Sequence, residues 1–194
     1  MVKTPIKLTF EEYLTYDDGT DNRYELVDGL LVMVPLPTAD HGDTIDLLLD
    51  IFRTYIRRQK LPWKATDKAG VYIGKNPKTG RDYSRTPDVC LMRQAQWSKL
   101  KADKTSAAVL KTSPLLVVEV VSPGSEKIDY EQKRREYQQA KVPEYWIVDL
   151  RQSKVSVLLL IEGRYQISEF TGSQQIVSQT FPELTLTASQ VLST

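Results

Sequence analysis

Two acids and a lysine stand where packing alone would not put them. Glu119 interrupts the run Leu115-Leu116-Val117-Val118-Glu119-Val120-Val121, whose continuous apolar character predicts a strand buried on both faces. Strand side chains alternate, so Leu116, Val118 and Val120 point one way, while Leu115, Val117 and Val121 share the side of Glu119. A carboxylate on such a face is costly unless it is paired, protonated or bound to a metal. A violation of local patterning of this kind marks a site. Asp88 follows Pro87 at the head of Asp88-Val89-Cys90-Leu91-Met92, a second strand that proline is permitted to open. Lys133 lies in a highly charged helix expected from about Glu126 to Lys141, on the semi-apolar stripe Tyr130, Lys133, Tyr137 and Ala140. It alone breaks that stripe with a charge. A strand–helix–strand crossover lays this helix back on its own sheet, so Lys133 is expected to face Glu119.

Two carboxylates and a lysine in a partly buried cleft suit Mg²⁺ or Mn²⁺ chemistry on phosphodiesters, because hard cations choose carboxylate and carbonyl oxygens and keep several waters. Asp88, Glu119 and the Val120 carbonyl are the expected ligands, with Lys133 holding or helping to deprotonate a water and offsetting developing charge. The chain has one histidine and one cysteine, which excludes a zinc site built mainly from those residues. It has neither a G-x-x-x-x-G-K-[ST] loop nor a G-x-G-x-x-G turn, so no nucleotide cofactor is expected.

The elements that position these groups are readable. Thr9-Phe10-Glu11-Glu12 has the capping-box pattern and predicts a short helix through Leu14. Tyr24–Val27 and Leu30–Val34 flank Asp28-Gly29 as a hairpin with a two-residue turn. Ile45, Leu48, Leu49, Phe52, Tyr55 and Ile56 recur at helical spacing between His41 and Arg58. Val71-Tyr72-Ile73 is a strand, and the stretch from Gly74 to Arg85 is expected to be an exposed loop. A short helix follows near Gln94–Lys101. Tyr145–Val148 completes a parallel pair with the Glu119 strand. Val155–Ile161 and Tyr165–Phe170 form a second hairpin, and Thr187–Leu192 closes the chain as a short helix. The expectation is a single domain over residues 1–194, with helices on both sides of a mixed α/β (α+β) sheet and added hairpins.

Charge is distributed unevenly. Residues 1–50 carry 3 basic and 11 acidic side chains, a balance of −8, whereas residues 51–111 carry 15 basic and 4 acidic, a balance of +11. The middle third is the surface suited to a polyanion. Lys75, Lys78, Arg81 and Arg85 run straight into Asp88 and would suit salt-dependent contact with a phosphate backbone without base reading. No apolar run reaches the roughly 18 residues of a membrane span. Met1-Val2-Lys3-Thr4-Pro5 lacks a signal-peptide core. With a single cysteine, the expected compartment is the reducing cytoplasm.

Pro87-Asp88 followed by Glu119 resembles the PD-(D/E)xK nuclease superfamily, with Val121 where its lysine would stand. More specifically the chain resembles the Uma family of restriction-endonuclease-like proteins. The matching text is Tyr24-Glu25-Leu26-Val27-Asp28-Gly29, His41, Arg85-Thr86-Pro87-Asp88-Val89 and Leu116 through Pro123, then Asp129, Lys133 and Tyr137, and Val142 through Asp149. In that family the motif lysine is thought to have moved to the following helix, which places it on Lys133 and the acidic pair on Asp88 and Glu119. The resemblance also implies that Glu25 approaches the same metal and that His41 stands beside the cleft. By residue type alone, Glu25 is a cross-strand partner, His41 a helix starter, and Tyr130 and Tyr137 packing residues. The expected function is a metal-dependent endonuclease acting on DNA as a homodimer, since cutting two strands needs two sites. The alternative is a nuclease-fold protein that binds nucleic acid or a partner without cutting. Glycoside hydrolysis is weaker, because it leaves Lys133 and the basic segment unused.

Overall fold

Local chemistry accounts for the starts and turns of the elements. In the computed structural model, which describes residues 5–193, Thr9 caps α1 (Phe10–Leu14), and the Glu12 carboxylate returns a bond to the Thr9 N–H at 2.7 Å. Residues 1–4, read above for a leader, lie outside the described residues. Asp28 and Gly29 both take positive φ, 53° and 72°, as a two-residue hairpin turn requires. They join β1 (Tyr24–Val27) to β2 (Leu30–Met33). Thr38 caps α2 (Ala39–Arg58), accepting from the His41 N–H.

The remaining strands are β3 (Trp63–Thr66), β4 (Gly70–Lys75), β5 (Asp82–Arg85), β6 (Val89–Arg93), β7 (Val109–Leu110), β8 (Leu116–Val120), β9 (Glu144–Asp149), β10 (Lys154–Ile161) and β11 (Arg164–Thr171). With α3 (Gln94–Ala102) and α5 (Ala188–Leu192) they complete the frame. Among the described residues the strands form a six-stranded sheet, β11-β10-β9-β8-β6-β3, and a five-stranded sheet, β2-β1-β5-β4-β7. Both sheets are mixed. The pair β8–β9 is parallel, as the crossover demands, and β6–β8 is antiparallel. Two mixed sheets thus stand where one was expected.

Strand alternation sorts the core. Leu116, Val118 and Val120 pack with Leu48, Leu49 and Phe52 of α2, whereas Val117 and Val121 face Tyr137, Val142 and Tyr145. Leu115 departs from the expected side and packs with the α2 cluster. It precedes β8, so regular alternation does not reach it. Glu144 ties the C-terminal segment down, accepting bonds of 2.7 Å from Trp146 Nε1, Ser178 Oγ and the Thr180 N–H. No described helix is long and apolar enough to cross a membrane.

Two readings are corrected. The exposed loop expected from Gly74 to Arg85 is a loop only at its tip. Asp82–Arg85 forms β5, paired with β4 and β1, and Asp82, Ser84 and Arg85 are buried. Burial here rests on polar pairing such as Tyr72 O–H to Asp82 at 2.6 Å, which apolar periodicity does not register. The uniform helix after Glu119 also differs. A π-helical turn spans Ile128–Lys133 and runs into α4 (Arg134–Gln139). A π-turn shifts the register of the face it presents. Asp129, Lys133 and Tyr137, four residues apart, point toward the sheet, and Tyr130 packs on the same cluster as Tyr137 while donating its hydroxyl to Asp149 at 3.2 Å.

Candidate active site

Glu119 is 2% exposed, and both its oxygens are engaged. Lys133 Nζ stands 2.7 Å from Oε2, and the Tyr137 hydroxyl donates to Oε1 at 2.5 Å. The same ammonium lies 3.1 Å from Asp129 Oδ1. Asp129 is itself fixed by the Ser125 hydroxyl, which donates to its Oδ2 at 2.5 Å. The crossover helix thus delivers one cation between two carboxylates and one phenol onto the strand before it.

Asp88 stands one residue ahead of β6. Extending the register Val89↔Val118 by one residue puts it opposite Glu119 on the neighbouring strand. Its Oδ2 accepts from the Val120 N–H at 2.7 Å, and its Oδ1 lies 3.1 Å from His41 Nε2. His41 Nδ1 is 3.0 Å from the Ser122 hydroxyl. A carboxylate only accepts, so in the neutral ring Nε2 carries the hydrogen and Nδ1 accepts a hydrogen bond from the Ser122 hydroxyl. The N-terminal turn of α2 and the end of β8 therefore hold Asp88 from both sides, and Ser122 after β8 steadies the histidine.

A second charged cluster abuts the first. The Arg85 side chain, 4% exposed, reaches Glu136 through Nε at 2.6 Å and a terminal nitrogen at 2.9 Å, and Glu25 at 2.7 Å. The other Glu25 oxygen accepts the Thr86 N–H at 2.9 Å. This corrects the expectation that Arg85 belongs to a phosphate-facing basic loop, because its fork is consumed inside the protein. Lys75, Lys78 and Arg81 are exposed at the β4–β5 hairpin tip, with Arg81 3.7 Å from Asp28. Both Glu25 oxygens are committed to Arg85 and Thr86, so the structure gives Glu25 a place beside the site rather than a free coordinating edge.

The electrostatics follow from this crowding. Burial pushes the Glu119 carboxyl well up; Lys133 pulls the other way, and Asp88, Asp129 and Glu25 push it further up. Burial alone would lower the Lys133 ammonium, but Glu119, Glu25 and Asp129 outweigh it and hold the charge. Burial likewise opposes the Arg85 charge, and Glu136 and Glu25 override it. Among the described residues, the ion pairs of Glu25, Glu119, Asp129 and Glu136 run to Lys133 and Arg85, and that of Asp88 to His41. The excess is negative, and a divalent cation would relieve it. Among the described residues no three His, Cys, Asp or Glu side chains converge into a protein cage. Mg²⁺ does not need one, since one or two carboxylates with waters and substrate phosphate suffice. Asp88 and Glu119 fit that donor set.

The structure brings Lys133 to Glu119 and His41 to Asp88, and β-register sets the two acids on neighbouring strands. Sequence reasoning gave Asp129 no role and Tyr137 only a packing role, although the spacing Asp129–Lys133–Tyr137 carried the information. The apolar stripe took Tyr130, three residues before Lys133, whereas Asp129, four residues before it, is the helix neighbour that pairs with its ammonium.

Fold and site together define an α/β domain of restriction-endonuclease-like architecture. The chain belongs to the Uma2 family, described as "Putative restriction endonuclease", which it matches over residues 10–189. Among solved structures it is similar to a crystal structure described as "a putative nuclease belonging to DUF820" from Anabaena variabilis. That match has a TM-score of 0.73 and 17% identity, covering 96% of this chain and 98% of that one. An identity so low speaks to fold alone. A search of curated proteins returned no match.

Proposed function

We propose that the chain is a metal-dependent endonuclease that hydrolyses DNA phosphodiester bonds, with Mg²⁺ or Mn²⁺ held by Asp88 and Glu119. The observation that carries this reading is Lys133 Nζ at 2.7 Å from Glu119, an acid that β-register places opposite Asp88. The cation, when bound, supplies Lewis acidity toward a phosphoryl oxygen and lowers the pKa of a water. The protein's own groups do the rest. Lys133 orients the attacking water and offsets charge developing on the phosphoryl group. Tyr137 fixes the Glu119 carboxylate, Asp129 aims Lys133, and His41 fixes Asp88. Lys75, Lys78 and Arg81 are proposed to meet the phosphate backbone, with a homodimer to cut both strands and a cytoplasmic location. The family membership supports a nucleic acid as substrate.

One observation favours a second reading, a nuclease-fold protein that binds nucleic acid or a partner without cutting. Lys133 and Tyr137 already occupy both oxygens of Glu119, and a cation must share that carboxylate. Calorimetric titration with Mn²⁺ separates the two. The endonuclease reading expects binding that weakens by about tenfold or more, ~1.4 kcal/mol, in both Asp88→Asn and Glu119→Gln. Binding that is absent from the wild type, or indifferent to both substitutions, supports the second reading and overturns the first.

A further inference from the structure

A cavity of about 270 Å³ opens beside Glu25, walled by Tyr13, Tyr16 and Tyr24, with Arg23, Lys68 and Thr86 around it. Its position ties it to the acids. Thr86 is two residues before Asp88 and gives its N–H to Glu25 at 2.9 Å, and Tyr24 is the residue before Glu25. The tyrosines differ in what they have left to offer. Tyr13 spends its hydroxyl on the Tyr24 carbonyl at 2.7 Å, and Tyr24 spends its own on Asp18 at 2.5 Å. Tyr16 packs edge-on against Tyr24, with centroids 5.6 Å apart at 85°, and among the described residues its hydroxyl has no hydrogen-bond partner. The exposed Lys68 ammonium has no carboxylate partner among them either. Arg23, its side chain 55% exposed, donates to the Asp67 carbonyl at 3.3 Å and lies 3.8 Å from the carboxylate of Asp67, which also lines the cavity. One cation without a carboxylate partner, Lys68, a second shared with Asp67, and a half-buried aromatic ring therefore line a space near the lower end of small-ligand pockets, which run from about 300 Å³ upward.

We propose that this cavity is a nucleotide subsite: it takes one nucleotide unit of the substrate strand, base against Tyr16 and phosphate toward Lys68 and Arg23. The inference rests on the nuclease reading of the neighbouring acids. Base–aromatic stacking tolerates any base because each presents a π-face. A duplex must first turn the nucleotide out of its stack, while a single strand presents it directly. The subsite therefore favours single-stranded or locally opened substrate.

The test is binding in EDTA, without turnover. A short single-stranded DNA with one 2-aminopurine, the same strand with an abasic residue in its place, and free dAMP are titrated into wild type, Tyr16→Ala and Tyr16→Phe. Tyr16 is half-buried, and unchanged circular dichroism and melting verify that both variants fold. The expected result is affinity for the 2-aminopurine strand about tenfold lower in Tyr16→Ala, near wild type in Tyr16→Phe, and no Tyr16 dependence for the abasic strand. Equal affinity of wild type and Tyr16→Ala for the 2-aminopurine strand overturns the subsite. Binding of dAMP as tight as the strand overturns assignment to the strand and makes a free nucleotide the occupant. Plasmid cleavage alongside keeps the failures distinct. Cutting without Tyr16 dependence sinks this inference alone, whereas Tyr16-dependent binding without cutting sinks only the cleavage reading.

Discussion

Lys133→Met is expected to cut plasmid DNA about 10²–10³-fold more slowly in single-turnover assays with Mn²⁺, while retaining the metal. The split follows from geometry. The ammonium touches Glu119 Oε2 at 2.7 Å, so in the proposed mechanism it would supply charge to the reaction and compete with a cation for the same oxygen. Removing it deletes the first effect and relieves the second, so Mn²⁺ affinity should be unchanged or tighter. Lys133 is 12% exposed at its side chain, and methionine fills the same unbranched space. Without metal the variant leaves Glu119 buried among Asp88, Asp129 and Glu25, and its melting point should fall and recover on adding Mn²⁺. Cleavage within threefold of wild type would remove Lys133 from the mechanism.

Arg85→Met is expected to destabilise the fold by about 3–5 kcal/mol, the cost of stripping one partner from a buried ion pair. Three bonds of 2.6, 2.7 and 2.9 Å disappear together, and Glu136 and Glu25 are left facing each other without their cation. Both carboxylates are largely shielded, with side-chain exposures of 14% and 11%, so water cannot replace the guanidinium well. Urea denaturation reads the loss as a lower midpoint at constant slope. Adding Glu136→Gln should recover part of it, because one stranded charge is then gone. Arg85→Met within about 1 kcal/mol of wild type would show that the cluster contributes little. If Arg85 contacted phosphate instead, the substitution would spare stability and reduce the salt slope of DNA binding by about one.

The legible parts of this molecule were those built on apolar pattern or local turn chemistry. The strand around Glu119, the capping box at Thr9, the Asp28-Gly29 hairpin and the parallel β8–β9 pair all followed from periodicity, capping and crossover rules. Asp88 and Glu119 were visible because each broke such a pattern. Strand β5 was hidden, since Asp82, Ser84 and Arg85 are buried by polar partners from β1, β4 and α4 that only the assembled fold supplies. Arg85 read as a member of a basic loop for the same reason. Asp129 stands four residues before Lys133, on the same helix face, but an acid there reads as one more charge of a highly charged helix, and an apolar stripe takes Tyr130 three residues before instead. The second sheet went unseen because β5, which joins the β1–β2 hairpin to β4, read as loop, and its edge strand β7 is two residues long.

The central claim is that Asp88, Glu119 and Lys133 form a metal-dependent phosphodiester-cutting centre. Conversion of supercoiled plasmid to nicked and linear forms tests it most directly, with wild type and Glu119→Gln each measured in Mg²⁺, Mn²⁺ and EDTA. Glu119→Gln preserves shape and Tyr137 packing while removing the charge that pairs with Lys133 and that is proposed to bind the cation. The prediction is cleavage by wild type in either metal, none in EDTA, and none above background by Glu119→Gln in any of the three. Cutting by Glu119→Gln at the wild-type rate, or by wild type in EDTA, would contradict it.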